Sequence, residues 1–518
     1  MSFRGEQVIK GTTYVFEAIA QWNADKHQSR QKRIYIGKKD PVTGAFLPNK
    51  KYYELYGEDA DTADFQTSSV MKSVDFGNIY LMDQVSSVCG LKQVLKETFP
   101  DCWEDILVCA MHSCSENEAL YLCEDWALNS QVPAAPSSQD ISRLLKELDE
   151  DRRMQFYKKW AQLCSEKEYL ALDISSVSSW SELINYVEYG YNRDHEDLPQ
   201  VNLAMLFGEE SRLPVFSRIY PGSIKDVSTL TGMVTFFEQL QLRQMHFVMD
   251  KGFYSAKGVG VLLEKYIKFA IGVPFSTGIA KEAVRENAAA ITSPANAIEV
   301  DGHIYYSAVK KMTINGRRSY LHIYYDRERA AKEHDRLMHR IIKIENGLIS
   351  GTVRMDSAEA EKYFSFQKNR EGAYNIHRKE DVIREQLELT GYFVILTNDS
   401  KDSEYILNIY RTKDVVEKSF DNIKNELDLE RLRIHSDKAM EGRVFIGFIA
   451  LIITSYIRKR MEEKNLYSSY TLSKLYSELK KLRLIQFKNG KQILTELTSN
   501  HKAIFKAFNL KAPAPSSL

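Results

Sequence analysis

The chain has 518 residues, with 70 Lys and Arg against 70 Asp and Glu, and 44% of it is apolar. That length allows three or more domains, and the apolar and charged fractions are ordinary for a soluble globular protein. The zero net charge hides an uneven distribution. Residues 1–51 hold ten Lys/Arg against four Asp/Glu, residues 101–150 hold two against eleven, and residues 455–518 hold thirteen against four. Two basic ends around an acidic middle fit a polyanionic partner for the ends, or simply uneven solvated charge.

Residues 1–12 carry Arg4, Glu6 and Lys10 and no apolar run, so no signal peptide is read there and a cytoplasmic chain is expected. The longest apolar run, Val444 to Ile453, is too short to span a bilayer and reads as a buried helix. All six cysteines lie between Cys89 and Cys164 without a CxxC pair. Cys109, His112 and Cys114 lack a fourth ligand at suitable spacing, so core thiols in a reducing compartment are expected rather than zinc.

In chain order, residues 10–36 alternate in places and predict a β-hairpin, with KHQSRQKR as a basic loop between its strands. Residues 66–128 read as helical. NSQVPAAPSSQD (129–140) reads as a linker, and helices follow to about Ser165. EYLALDIS predicts a short strand ending at Asp173. VNLAMLFG (201–208) and LPVFSRIYPGS (213–223) extend it to a three-stranded meander. A helix is predicted from about Asp226 to Arg243. HFVMD (246–250) is a fourth strand ending at Asp250, Ser255 caps a helix, and KFAIGVP (268–274) is a fifth strand.

Three strands, helix, strand, helix, strand is the ribonuclease H-like order, which makes the first and fourth strands neighbours and sets Asp173 beside Asp250. Residues 275–400 interrupt it as an inserted domain: two β-like runs, a charged helix at about 327–346, and the strand GYFVILTND (391–399). YTLSKLYSELKKLRLIQF predicts an amphipathic helix near the end of the chain, and APAPSSL a disordered tail. The expected fold class is therefore α/β: a mixed five-stranded ribonuclease H-like core with flanking helices, a β-rich insertion, and helical N- and C-terminal regions. The expected divisions are 1–65, 66–165, 166–274, 275–400, 401–455 and 456–518.

YILNIYRTKDVVEKSFDNIK (405–424) has no Gly or Pro and predicts a helix. Tyr410, Lys413, Glu417 and Lys424 fall within a stripe about 60° wide at roughly 100° per residue. Ile409, Val416, Phe420, Ile423 and Leu427 form the adjacent core stripe. A carboxylate flanked by cations can hold a metal ion while its neighbours hold phosphate. The plainer alternative is a solvated face with i,i+4 pairs. Through this helix Glu417 would return to the sheet as a third carboxylate. Three carboxylates can hold two Mg²⁺ ions about 3.5–4 Å apart, and oxygen donors suit Mg²⁺ or Mn²⁺ rather than zinc.

These motifs resemble bacterial insertion-sequence transposases of the DDE class, in the branch with the Y-x2-R-x3-E-x6-K signature. Tyr410, Lys413, Glu417 and Lys424 have that spacing, with Lys413 where the pattern has Arg. LALDIS (170–175) and DKGFYS (250–255) are similar to the motifs around the two aspartates, and GYNRDH (190–195) and YPGSIKD (220–226) to stretches between them. The resemblance implies a Mg²⁺-dependent enzyme that binds terminal inverted repeats of double-stranded DNA, cleaves at the ends and joins 3′-hydroxyls to target DNA, as a homodimer. It implies Asp173, Asp250 and Glu417 as metal ligands and catalytic triad, and Tyr410, Lys413 and Lys424 as phosphate contacts. Lys251 contacts DNA or only fills a turn. Better-known members stack a flipped base on a tryptophan of the insertion, and this chain has no Trp after Trp180. The alternatives are a catalytically retired DNA-binding derivative and a nuclease or resolvase on the same fold.

Overall fold

The computed structural model describes residues 2–9, 11–23, 28–40, 44–56, 70–116, 118–164, 169–179, 181, 183–190, 198–224, 230, 232–234, 236, 246–368, 374–411, 413, 436–487 and 490–513. The chain forms two compact units. One comprises 1–81, 125–132 and 466–518, the other 82–124 and 133–465.

The first unit opens on a four-stranded antiparallel sheet in chain order: β1 (Ser2–Ile9), β2 (Thr12–Asn23), β3 (Gln28–Lys39) and β4 (Phe46–Pro48). The expected hairpin is thus part of a larger sheet, and most of the expected basic loop lies in β3. Alternation with apolar Ile34 and Ile36 carries the charged residues into the strand, because only one face needs burial. Val15, Ile36, Phe46 and Tyr52 form a small core under the helix Lys50–Tyr56. β5 (Val70–Asp75) opens a stretch expected to be helical. It pairs with Arg483–Phe487, which was expected to continue a helix. That helix ends at Leu479. The pairing buries Val74 and Leu484 and is locked by Arg483 Nη1 to Asp75 at 2.6 Å. Local periodicity does not register such long-range pairing.

The second unit is built on a nine-stranded mixed sheet. β6 (Tyr169–Ser178), β7 (Gln200–Gly208) and β8 (Pro214–Pro221) form an antiparallel meander. β9 (His246–Met249) lies parallel to β6 on its other side, and β10 (Lys268–Gly272) lies parallel to β9. β11 (Ala297–Val300), β12 (His303–Ile314) and β13 (Arg317–Tyr325) follow in the chain. β14 (Phe364–Lys368) and β15 (Tyr374–Arg378) form a separate hairpin, and β16 (Tyr392–Thr397) returns to the sheet beside β10. The final order is β11-β12-β13-β16-β10-β9-β6-β7-β8. The β-like runs of 275–400 therefore extend the central sheet instead of forming a sheet of their own. Residues between β13 and β16 build a second core, where Ile341, Ile344 and Leu348 of the helix Arg327–Ile349 meet Tyr363, Phe364 and Ile383.

β6 is buried along all ten residues, as expected of a strand covered on both faces. It runs five residues beyond Asp173, correcting the expected strand end. β7 continues to pair with it there, while β9 stops at the level of Leu172. Ser255 caps the helix Ala256–Glu264, accepting from Gly258 N–H at 2.9 Å. The helix expected between Asp226 and Arg243 falls largely outside the described residues.

The helix Asp437–Glu463 is long and apolar enough to cross a bilayer, but 89% of its most apolar window is buried inside the protein. It packs on the helices Trp103–Ser115 and Ser138–Glu147 and on β8. Gly442 permits the close approach to the helix Ser138–Glu147, since a Cβ there would lie 2.1 Å from the Leu145 carbonyl oxygen. Gly442→Ala is accordingly expected to destabilise the protein by roughly 1–3 kcal/mol through overpacking. Equilibrium urea unfolding would show it as a lower midpoint at unchanged slope.

Candidate active site

The site is assembled by strand register. β6 and β9 run parallel with Leu172 opposite Met249, so Asp173 and Asp250 are the next residues on neighbouring strands. Asp173 is buried and still within β6. Asp250 immediately precedes the 3-10 turn Lys251–Phe253 and makes no side-chain cap to it.

The third contributor is the helix Ser403–Arg411. Ile406, Leu407 and Ile409 bury against Tyr169, Val248, Ala270, Tyr324 and Ile395 of the sheet; of the expected core stripe only Ile409 is among them, and Val416, Phe420, Ile423 and Leu427 lie outside the described residues. Its first turn is tied down by Tyr324, whose hydroxyl donates to the Ser403 carbonyl at 2.9 Å. His322 Nδ1 lies 3.0 Å from Ser403 Oγ, and burial pushes the His322 pKa down to about 4. These contacts set the helix so that the next ridge faces the strand ends. Tyr410 donates its hydroxyl to Asp250 Oδ1 at 3.2 Å, and Lys413 Nζ stands 3.6 Å from the same oxygen. Burial alone would raise the Asp250 carboxyl. The Lys413 ammonium, the Lys251 backbone N–H, the Tyr410 hydroxyl and the Lys251 charge outweigh it, so Asp250 titrates below the usual carboxylate value.

These groups line a cleft of about 710 Å³ that also includes Lys251, Gly272, Arg329 and Arg411. Tyr410 occupies its position because residue 272 is glycine, since a Cβ there would come 2.5 Å from the Tyr410 hydroxyl. Arg411 is held at the rim by Asp301 at 3.0 Å. Arg329 reaches the cleft over the ring of Phe393, 5.2 Å from its centroid. Gly272, Arg329 and Arg411 carry no motif signal in the sequence. Arg329 pairs with Glu333 one turn on, the pattern of an ordinary solvated face.

Of the expected site residues, Asp250, Lys251, Tyr410 and Lys413 line this cleft, and Asp173 stands on β6 one residue past its last pairing with β9. Glu417 and Lys424 lie outside the described residues. Among the described residues no three His, Cys, Asp or Glu groups converge as a metal cluster. Asp173 and Asp250 nevertheless offer oxygen donors on adjacent strands, and Asp250 is kept ionised. That donor chemistry suits a hard divalent cation.

Residues 165–453 match the transposase DDE domain family. The chain belongs to this family. Every candidate residue above, from Asp173 to Lys424, falls inside the matched region, which holds more than half of the chain. The protein is thus a DDE transposase, an enzyme class that acts through divalent metal ions. No curated protein matches the chain. Among solved structures, a piggyBac transposase synaptic complex with hairpin DNA is similar at 11% identity and a TM-score of 0.34, over 77% of this chain and 70% of that one.

The balance at Asp250 sets its titration. In Lys413→Met the effect of burial loses its main opponent, so the Asp250 carboxyl is expected to titrate at higher pH. Tyr410→Phe should move it the same way by less, and Gly272→Ala should act like Tyr410→Phe by displacing the hydroxyl. Carbon-detected NMR titration of the aspartate carboxyls measures all three. Because the folded value is depressed, the ion pair stabilises the fold above the unfolded aspartate pKa, about 3.9, and that contribution is lost as pH falls through the folded value.

Proposed function

We propose that this DDE transposase is the cut-and-paste enzyme of a bacterial insertion sequence, in the Y-x2-R-x3-E-x6-K branch, acting on double-stranded DNA. The observation that carries the reading is the convergence on Asp250: Asp173 beside it in register, with Tyr410 and Lys413 both at its carboxylate. The spacing of Tyr410, Lys413, Glu417 and Lys424 supports the branch, and the run β8-β7-β6-β9-β10 supports a ribonuclease H-like core interrupted after β10.

In this reading Asp173, Asp250 and Glu417 hold two Mg²⁺ ions, for which Mn²⁺ substitutes. When bound, these supply Lewis-acid activation of the attacking oxygen and stabilisation of the leaving one. The chain's own residues do the positioning. Lys251 and Lys413 offer ammonium groups, and Tyr410 a hydroxyl, to phosphates entering the cleft, and Lys424 is assigned as a further phosphate contact by its spacing alone. As lysine, residue 413 supplies a point charge rather than the bidentate fork of arginine, so its contact is less directional. The buried flank of the Ser403–Arg411 helix sets where Tyr410 and Lys413 stand, and the turn after β9 sets Lys251. The same site serves end cleavage by water and joining of the freed 3′-hydroxyl to target DNA, since both are in-line displacements at phosphorus. Two ends must be held at once, which calls for a homodimer on DNA. The expected setting is the bacterial cytoplasm, on the nucleoid.

Cleavage of a linear duplex carrying the element's own ends, with Mg²⁺, tests this. Asp250→Asn and Glu417→Ala are each expected to lower cleavage more than about 100-fold while end binding persists, since even outer-shell ligand partners cost up to that. Equal cleavage by wild type and Glu417→Ala would sink the triad. Binding without cleavage by the wild type would favour a retired derivative. Cleavage without strand-transfer products would favour a nuclease or resolvase.

A further inference from the structure

The sheet of β1–β3 has two chemically different faces. Cross-strand partners share a face, so the pairing assigns each residue. On one face Arg4, Glu6, Val15, Glu17, Ile34 and Ile36 lie toward the small core beneath the helix Lys50–Tyr56. Both described carboxylates of these strands, Glu6 and Glu17, are on this side. Glu6 is paired there with Lys39 at 2.7 Å.

The opposite face carries Gln7, Tyr14, Phe16, Arg33, Tyr35 and Lys38, and no acidic residue among its described side chains. Phe16 is buried beneath the rest. The Arg33 guanidinium lies over its ring at 4.7 Å, and Tyr35 packs edge-on to both Phe16 and Tyr14. Gln7 Oε1 accepts from the Tyr35 hydroxyl at 2.8 Å and from Arg33 Nη1 at 3.2 Å. Two donors on the oxygen orient the amide, and they leave the Gln7 N–H₂ and the remaining Arg33 N–H groups as an ordered donor array. Arg33 and Lys38 are exposed.

We propose that this face of β1–β3 is a DNA-reading surface that lies in the major groove of the element's terminal repeat. Three features select that occupant. The surrounding residues 1–51 carry ten Lys/Arg against four Asp/Glu, which suits a polyanion. The major groove admits antiparallel strands. The donor pair of arginine matches the O6/N7 edge of guanine there, and the Gln7 N–H₂, its oxygen already taken by Tyr35 and Arg33, offers a donor to a base acceptor. Arg33 and Gln7 are the base-contacting residues, Tyr35 holds Gln7 in place, and Lys38 contacts backbone phosphate. The inference rests on the transposase reading for the identity of the DNA, but it concerns a surface distinct from the cleft at Asp250.

The test is binding of the full-length protein, by fluorescence anisotropy, to a duplex bearing the inverted repeat that flanks the coding sequence, and to a scrambled duplex of the same composition. Arg33→Lys and Gln7→Ala are expected to lower the preference for the repeat about tenfold or more and to leave scrambled binding nearly unchanged. Lys38→Ala should weaken both duplexes alike and reduce the salt dependence by about one counterion. Thermal unfolding of each variant separates lost contacts from lost folding, and Arg33→Lys retains the charge, so a purely electrostatic role would leave its preference intact. If the wild type prefers the repeat and none of the variants changes that preference, the assignment of this face is overturned. If the wild type shows no preference, the transposase reading itself fails first.

Discussion

The parallel register between β6 and β9 is the constraint on which the site depends. Leu172 opposite Met249 makes Asp173 and Asp250 consecutive to the last paired residues of adjacent strands. A slip of one residue would turn each side chain to the other face of a sheet buried on both sides. β6 is covered along its whole length and flanked by β7 and β9, so register is held from both edges. The carboxylates are thus placed by the core and not by a loop.

The second constraint is the seating of the Ser403–Arg411 helix. Its apolar flank buries into the same core that holds the strands, and the Tyr324 contact fixes its first turn. The polar ridge is thereby turned toward the strand ends, and Tyr410 and Lys413 meet Asp250. Glycine at 272 is what lets the Tyr410 hydroxyl come so close to β10. Charge and packing cooperate here: burial disfavours an ionised Asp250, and the cations and donors delivered by the helix restore it. A carboxylate kept anionic in a cleft also lined by Lys251, Arg329 and Arg411 has a cationic surround suited to phosphate.

Legibility in the sequence followed the range of the interactions. Strands β6 to β10 are readable because buried apolar runs bounded by turns carry their own signal; Asp173 and Asp250 stand out by their places on the first and fourth strands of that order, and Tyr410 and Lys413 by their helical spacing. β5 and the strand Arg483–Phe487 were not readable, because each is stabilised by the other across some 400 residues of chain. Arg329 was missed for a related reason. Its pairing with Glu333 is a local helix pattern, while its entry into the cleft depends on where β16 sets Phe393.

The sequence by itself determined the chemistry: which carboxylates, lysines and tyrosine are present, their spacing, and the family they belong to. These are properties of short segments, where side-chain periodicity and turn chemistry act. The tertiary structure decided that β11, β12, β13 and β16 join the central sheet, that Asp173 sits inside its strand rather than at the end, and that Tyr410 and Lys413 close on Asp250. Those outcomes depend on which strand edges find partners and on how one helix packs against a distant sheet, and no local pattern encodes either.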